Sequence, residues 1–194
     1  MASSFARFND FLQRWPRAWN TFAGAALSGG ADLSAQVIER RYGNRPKKQD
    51  GPQQEDLEPQ KRFASMVAFG GGAGLFFQWW YKCIDRWFTS FPPKLLFHQM
   101  LISPIFNAVF LSYCEVVRNP QDDVVHRVGC RLNTDWLYLT MRSFPFWIAV
   151  NSFNLYFTPV HFRVSVMYSV NFCWTIFLSY LGHRHIEEPP LVSE

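Results

Sequence analysis

Charged residues in this chain are gathered into a few short segments, with long uncharged intervals between them. Phe63–Tyr81 runs 19 residues without Lys, Arg, Asp or Glu, Leu95–Cys114 runs 20, Ser143–Phe162 runs 20 and Val164–Gly182 runs 19. A helix rises about 1.5 Å per residue, so roughly 20 apolar residues cross the ~30 Å hydrocarbon layer of a bilayer. The four intervals predict four membrane-spanning helices. The competing reading is four buried helices of a soluble bundle, but these still carry a polar stripe. A fifth, weaker segment is charge-free from Ala18 to Ala31, is interrupted by Asp32 and resumes to Ile38. Its small residues (Gly24, Ala25, Ala26, Gly29, Gly30, Ala31) suit close helix contact, so it is predicted to face protein more than lipid. The fold class is therefore an all-α integral membrane protein, a bundle of about four transmembrane helices plus an N-terminal amphipathic or small-residue helix.

The same pattern divides the chain. Residues 1–39 read as N-terminal amphipathic and Gly/Ala-rich helices, 40–61 as a polar loop, 62–184 as the transmembrane bundle and 185–194 as a polar tail. Phe5, Phe8, Leu12 and Trp15 fall at helical spacing, with Arg7, Arg14 and Arg17 against Asp10. That pattern fits a mitochondrial address or a helix lying on the membrane surface. Pro16 suits the first turn of the next helix. Trp79, Trp80, Tyr81 and Trp87 mixed with Lys82 and Arg86 mark a membrane–water boundary. Pro92 and Pro93 form a turn, Pro104 falls in mid-span, 115–135 is a polar connector, and Pro159 separates the last two spans. The glycines at 70, 71, 72 and 74 permit close backbone approach. They lack the Lys-Ser/Thr of a phosphate loop.

Composition sharpens this picture. Twenty Phe and eight Trp exceed what a soluble core of 194 residues needs, yet mean hydropathy is only −0.10 because polar residues are segregated. The net charge of +4 is modest. Arg40, Arg41, Arg45, Lys47, Lys48, Lys61 and Arg62 flank the spans as juxtamembrane anchors and form no nucleic-acid footprint. Cys83, Cys114, Cys130 and Cys173 form no CxxC pair and read as small apolar residues. His183 and His185 have no third ligand nearby, so no metal site is expected. No catalytic signature is present, which predicts a protein that is not an enzyme and needs no cofactor.

Polar residues inside the spans are the candidate site, since each is costly in lipid. Asp32 and Gln36 lie in the first helix, Gln99 and Asn107 in the third, Asn151 and Asn154 in the fourth, and Arg163 between the last two. Three readings stay open. They line an aqueous path, they hydrogen-bond between helices, or Asp32 and Arg163 pair with each other or with loop charges.

These residues also carry a resemblance. Trp147-Ile148, Asn151, Asn154-Leu155, Pro159, His161 and Arg163, closed by Trp174 and Leu178-Ser179, resemble the C-terminal signature of the Mpv-seventeen family, also called the twenty-two-kilodalton peroxisomal membrane protein family. Asp135-Trp136 fits the start of that block. Upstream, Trp80-Tyr81, Asp85-Arg86, Lys94, Gln99 and Pro104 are similar to its middle pattern, and Pro16, Ala31-Asp32 and Gln36 to its N-terminal one. The sequence departs at Ile148, where the family has Pro, at His98, where it has Asp, and at Asn151, where it has Gln.

The resemblance implies an organelle-membrane protein, of the mitochondrial inner membrane or alternatively the peroxisome. Such a protein looks like a small non-selective channel linked to nucleotide and mitochondrial DNA maintenance, and one branch is linked to mitochondrial ribosome assembly. The leading expectation is a small-solute channel or metabolite-homeostasis protein, with Asp32, Gln36, Gln99, Asn151, Asn154 and Arg163 along the path. The alternative is an accessory subunit or assembly factor of a large inner-membrane complex. The expected partners are the lipid bilayer and either further copies of the chain or such a complex.

Overall fold

The computed structural model describes residues 10–12, 14–42, 58–118 and 123–184, and every regular element among them is helical. The chain bends at Trp15 and enters α1 (Pro16–Tyr42). The bend keeps its hydrogen bonds, Trp15 N to Phe11 O at 2.9 Å and Trp19 N to Trp15 O at 3.1 Å. α2 (Pro59–Trp87) opens on a proline, whose missing N–H costs nothing in a first turn. It stops where Phe88 turns extended ahead of Pro92 and Pro93.

Two rods follow, each built of two helices joined by a π-turn. α3 (Phe91–Phe97), a π-turn (His98–Ile102) and α4 (Ser103–Arg118) form the first. Its π-turn has a local cause, since Pro104 offers no N–H and its ring crowds the carbonyl four residues back. The wider turn relieves that crowding, with Ser103 N bonded to His98 O. α5 (Val124–Arg131), a second π-turn (Leu132–Trp136) and α6 (Leu137–Phe157) form the next rod. Asp123 caps its start by accepting from His126 N at 3.3 Å. Thr158 is extended before Pro159, and α7 (Arg163–Arg184) completes the chain.

The helices match the uncharged intervals, with two extensions. α1 runs to Tyr42 and α2 begins at Pro59, so both enter the segment predicted as loop. The predicted connector 115–135 is itself largely helical, because a capped amphipathic turn needs no apolar run. Of the predicted N-terminal apolar face, Leu12 is buried and Trp15 exposed. Phe5 and Phe8, most of the 40–61 loop and the 185–194 tail lie outside the described residues.

α1 is central and packs mainly against α2 and α7. Its contact with α2 is backbone on backbone. A methyl group on Gly24 would overlap the Gly70 carbonyl, one on Gly70 would overlap Gly24 O and Ser28, and one on Gly74 would overlap Asn20 O. The small-residue face of α1 thus meets protein, and the glycine cluster of α2 is a packing surface. α7 is tied in by Trp19 Nε1 donating to Ser165 Oγ at 2.8 Å and Tyr168 OH donating to Gly70 O at 3.0 Å. Beside these contacts lies a core of Phe77, Trp80, Tyr81, Ile84, Leu155 and Val164.

Polarity is distributed in the reverse of a water-soluble bundle. Asn20, Asp32, His98, Gln99, Asn151 and Asn154 are buried, while Phe22, Val37, Met100, Val109, Phe153 and Phe157 are exposed. Among the described residues one continuous helix, Phe91–Val117, is long and apolar enough by composition to cross a membrane. The others carry Gly, Trp, Tyr, Asn or Gln in their uncharged intervals, which lowers their mean hydropathy.

Candidate functional site

The six predicted polar residues do not form one seam. They separate into three clusters along the bundle. At the start of α2, Arg62 Nε donates to Asp32 Oδ1 at 2.6 Å, and its Nη1 and Nη2 reach Glu39 Oε2 and Oε1 at 2.8 and 3.1 Å. Gln36 Nε2 donates to Asp32 Oδ2 at 2.6 Å and to Pro59 O at 3.1 Å. Asp32 therefore has a partner for each oxygen, and it pairs with Arg62, not with Arg163.

At the far end of α2, Asp85 receives two cations. Arg163 Nη1 donates to its Oδ2 at 2.6 Å and Lys94 Nζ to its Oδ1 at 2.6 Å. Arg163 also caps α6 from below, Nε to Thr158 O at 3.0 Å and Nη2 to Leu155 O at 3.2 Å. Its guanidinium lies 5.9 Å from the Tyr81 ring centroid. Burial alone would push the Asp85 carboxyl up, but Arg163 and Lys94 more than offset this and hold it below its ordinary value. Asn154 Nδ2 joins this end by donating to Arg163 O at 3.1 Å and to Tyr81 OH at 3.4 Å.

The third cluster lies between these ends, at the π-turn. Asn151 Nδ2 donates to Gln99 Oε1 at 2.9 Å, and Trp80 Nε1 donates to His98 Nδ1 at 2.8 Å. Nearby, Asn107 Nδ2 reaches Thr140 Oγ1 at 3.2 Å and Trp136 Nε1 reaches Pro104 O at 2.8 Å. His98 and Gln99 are both buried and lie in the π-turn that precedes Pro104.

A cavity of about 430 Å³ lies among α1, α2, the α3–α4 rod, α6 and α7. Asp32 and Arg62 line one part of it, and His98, Gln99, Ser103 and Asn107 line another. Most of the remaining wall is apolar and aromatic, including Phe77, Phe106, Trp147 and Trp174. Of the six predicted site residues, Asp32 and Gln99 line the cavity, whereas Gln36, Asn151, Asn154 and Arg163 stand behind its wall or at its far end. Reading polar residues within the uncharged intervals missed Arg62 and Asp85, because both stand just outside them. Arg62 borders the interval Phe63–Tyr81 directly, whereas Asp85 stands beyond Lys82, one helical turn past its end. Asn20, fully buried, was also missed.

Residues 124–179 match the Mpv17 / PMP22 family. PXMP2/4 family protein 4 of Dictyostelium discoideum is 30% identical over 133 residues, which cover 64% of this chain and 69% of that protein. The chain belongs to the Mpv17 / PMP22 family. The human mitochondrial inner membrane protein Mpv17 is 28% identical over 170 residues, covering 84% of this chain and 87% of its own length. The Arabidopsis thaliana peroxisomal membrane protein PMP22 is 27% identical over 189 residues, covering 91% and 88%. No solved structure matches. Membership makes the chain a lipid-bilayer protein of an organelle, the mitochondrial inner membrane by its Mpv17 relatives, with the peroxisomal membrane as the alternative that PMP22 supports.

In this member of the family, the motif residues are largely one another's partners. Trp80 meets His98, Tyr81 meets Asn154, Lys94 and Arg163 meet Asp85, and Trp136 meets Pro104. Trp174 stacks on Phe146 with ring centroids 4.0 Å apart. Two departures from the family pattern, His98 and Asn151, are neighbours in space. The third, Ile148, does not deprive α6 of proline, because Pro145 stands inside the helix one turn earlier.

Proposed function

We propose that this chain is a non-enzymatic channel or metabolite-homeostasis protein for small solutes, with about four of its helical rods crossing the organelle membrane. The apolar exterior supports the crossing. So does the spacing of the charged clusters, since Arg62 and Asp85 stand 23 residues apart on one helix, roughly 34 Å. The observation that carries the functional reading is the internal cavity, bordered by Asp32 and Arg62. The Arg62 side chain is 34% exposed while that of Asp32 is 5% exposed, so the pair stands between the cavity and the outer surface. In this reading the pair gates one mouth.

Purified protein in a planar bilayer tests the proposal. Wild type is expected to conduct, and Asp32→Asn is expected to change the conductance or its open probability. A silent wild type would overturn the channel, and an unchanged variant would remove Asp32 from the gate.

A second reading, an accessory subunit of a large inner-membrane complex, is favoured by the exposed aromatic group Phe153, Tyr156 and Phe157. In this reading the long polar loop adds a further contact, and most of it lies outside the described residues. Native-gel migration from mild detergent separates the two. A small species supports the channel, and co-migration with a very large assembly supports the subunit.

A further inference from the structure

The start of α1 and the end of α2 stand side by side, because the two helices run antiparallel and touch at Gly24–Gly70 and Asn20–Gly74. Four cations gather there, Arg14 and Arg17 on one chain segment and Lys82 and Arg86 on the other. All four are exposed, and among the described residues none has a partner for its charged group. The acid closest in sequence, Asp85, is already taken by Arg163 and Lys94. Asp10 is the one other acid at this end among the described residues.

The opposite end of the same two helices is nearly balanced. Arg62 is held by Asp32 and Glu39, and Lys61 by Glu58. Arg40 and Arg41 are exposed there without partners, so four cations face three acids. The positive excess therefore belongs to one end of the α1–α2 pair.

That excess adjoins hydrocarbon-loving surface. On α2 the exposed residues leading up to Lys82 are Leu75, Phe76 and Trp79, and on α1 those following Arg17 are Ala18 and Phe22. Trp15 and Trp87, each more than half exposed, stand among the cations. Both helices thus change from apolar to basic at one level, although their chains run in opposite directions. Indole rings settle at such a boundary, and long basic side chains reach from it into water. A ligand that matches the order carries an anion joined directly to hydrocarbon. A soluble anion would use the basic half alone and leave the apolar faces without a partner.

We propose that the adjoining ends of α1 and α2 form a binding site for an anionic phospholipid, with Arg14, Arg17, Lys82 and Arg86 around its headgroup phosphate and the apolar faces beside them as the bed for its acyl chains. Each cation at an anionic membrane surface contributes roughly fivefold in affinity, and salt screens the effect. The site rests on α1 and α2 crossing the membrane and not on conduction.

The test uses the full-length protein in a neutral detergent at low salt. The probes are phosphatidylglycerol and phosphatidylcholine with the same acyl chains, and glycerol 3-phosphate as a soluble anion. Bound lipid is counted by native mass spectrometry. Wild type is expected to bind phosphatidylglycerol roughly tenfold or more tightly than phosphatidylcholine. The double variant Lys82→Gln, Arg86→Gln is expected to reduce that preference at least fivefold. Both side chains are exposed and unpaired, so it should fold, and retained phosphatidylcholine binding with an unchanged circular dichroism spectrum checks this. The control Arg40→Gln, Arg41→Gln removes two unpaired cations from the other end and is expected to keep the preference. Equal binding of the two lipids by wild type would overturn the proposal. So would equal losses in the two double variants, which would mean a diffuse effect of net charge. Displacement of the lipid by an equal concentration of glycerol 3-phosphate would make the site one for free phosphate and overturn its assignment to lipid. Because none of these readouts needs a current, failure here and failure of the channel are distinguishable.

Discussion

Asp85 and Arg163, 78 positions apart, meet at 2.6 Å and fasten the end of α2 to the start of α7. Arg163 is nearly buried, and its other nitrogens are committed to the carbonyls of Leu155 and Thr158. Asp85→Asn would leave that guanidinium and Lys94 without their counter-charge. Breaking one side of a buried pair typically costs about 3 kcal/mol. The variant should therefore unfold at distinctly lower temperature in detergent, as measured by circular dichroism. A Tm within a degree of wild type would show the pair to be dispensable.

The same pair sets a pH dependence. The Asp85 carboxyl is held below its unfolded value, by cations that outweigh burial. Its stabilising effect is complete above the ordinary carboxylate range, about pH 4, and is lost as pH falls through the depressed folded value. Wild type and Asp85→Asn should thus differ most in stability at neutral pH and converge at the acid end. Parallel acid-unfolding curves would contradict this assignment.

Three glycines of α2 make opposite predictions from near-identical sequence positions. Gly70→Ala and Gly74→Ala drive a methyl into the backbone of α1 and should destabilise the bundle by about 2 kcal/mol or more. Gly72→Ala meets nothing within 4 Å and should be neutral, or stabilising by up to about 1 kcal/mol. Thermal unfolding of the three single variants decides it, and equal effects would mean that the helices do not cross where the structure places them.

Arg62→Leu leaves Asp32 buried with only Gln36 for company. Because Arg62 is partly exposed, the loss should be moderate, about 2 kcal/mol. Adding Asp32→Asn should recover much of it, since the residual charge is what is costly. The double-mutant cycle measures this coupling directly, and strictly additive effects would refute it.

Trp80→Phe keeps the ring but removes the donor to His98 Nδ1. The expected cost is about 1 kcal/mol. The histidine is also freed to change tautomer. The imidazole nitrogen shifts in nuclear magnetic resonance should report the proton on Nε2 in wild type and a mixture in the variant. An Nδ1–H tautomer in wild type would contradict the hydrogen bond.

Much of the architecture was legible in the residues alone. Helical class, rod positions and the protein-facing character of the Gly/Ala segment follow from charge spacing and side-chain size, which are local. The π-turn at His98–Ile102 is also local, since it answers to Pro104, although Pro104 by itself announces a disturbance and not its form. The helical connector was less legible, because α5 is amphipathic and short and its start depends on a cap at Asp123.

The candidate site divides along the same line. The residues alone marked Asp32, Gln99, Asn151, Asn154 and Arg163 as groups that need polar partners or water, because an unpaired polar group in hydrocarbon is costly wherever it sits. Which group satisfies which was decided by tertiary structure alone. The crossing of α1 and α2 at Gly24 and Gly70 brings Asp32 to Arg62, and the return of α7 brings Arg163 to Asp85. The remaining space between the helices is the cavity, and in its wall the Trp80 indole holds Nδ1 of His98. Pairing of this kind depends on which helix faces meet over tens of residues of separation, and no local pattern encodes it.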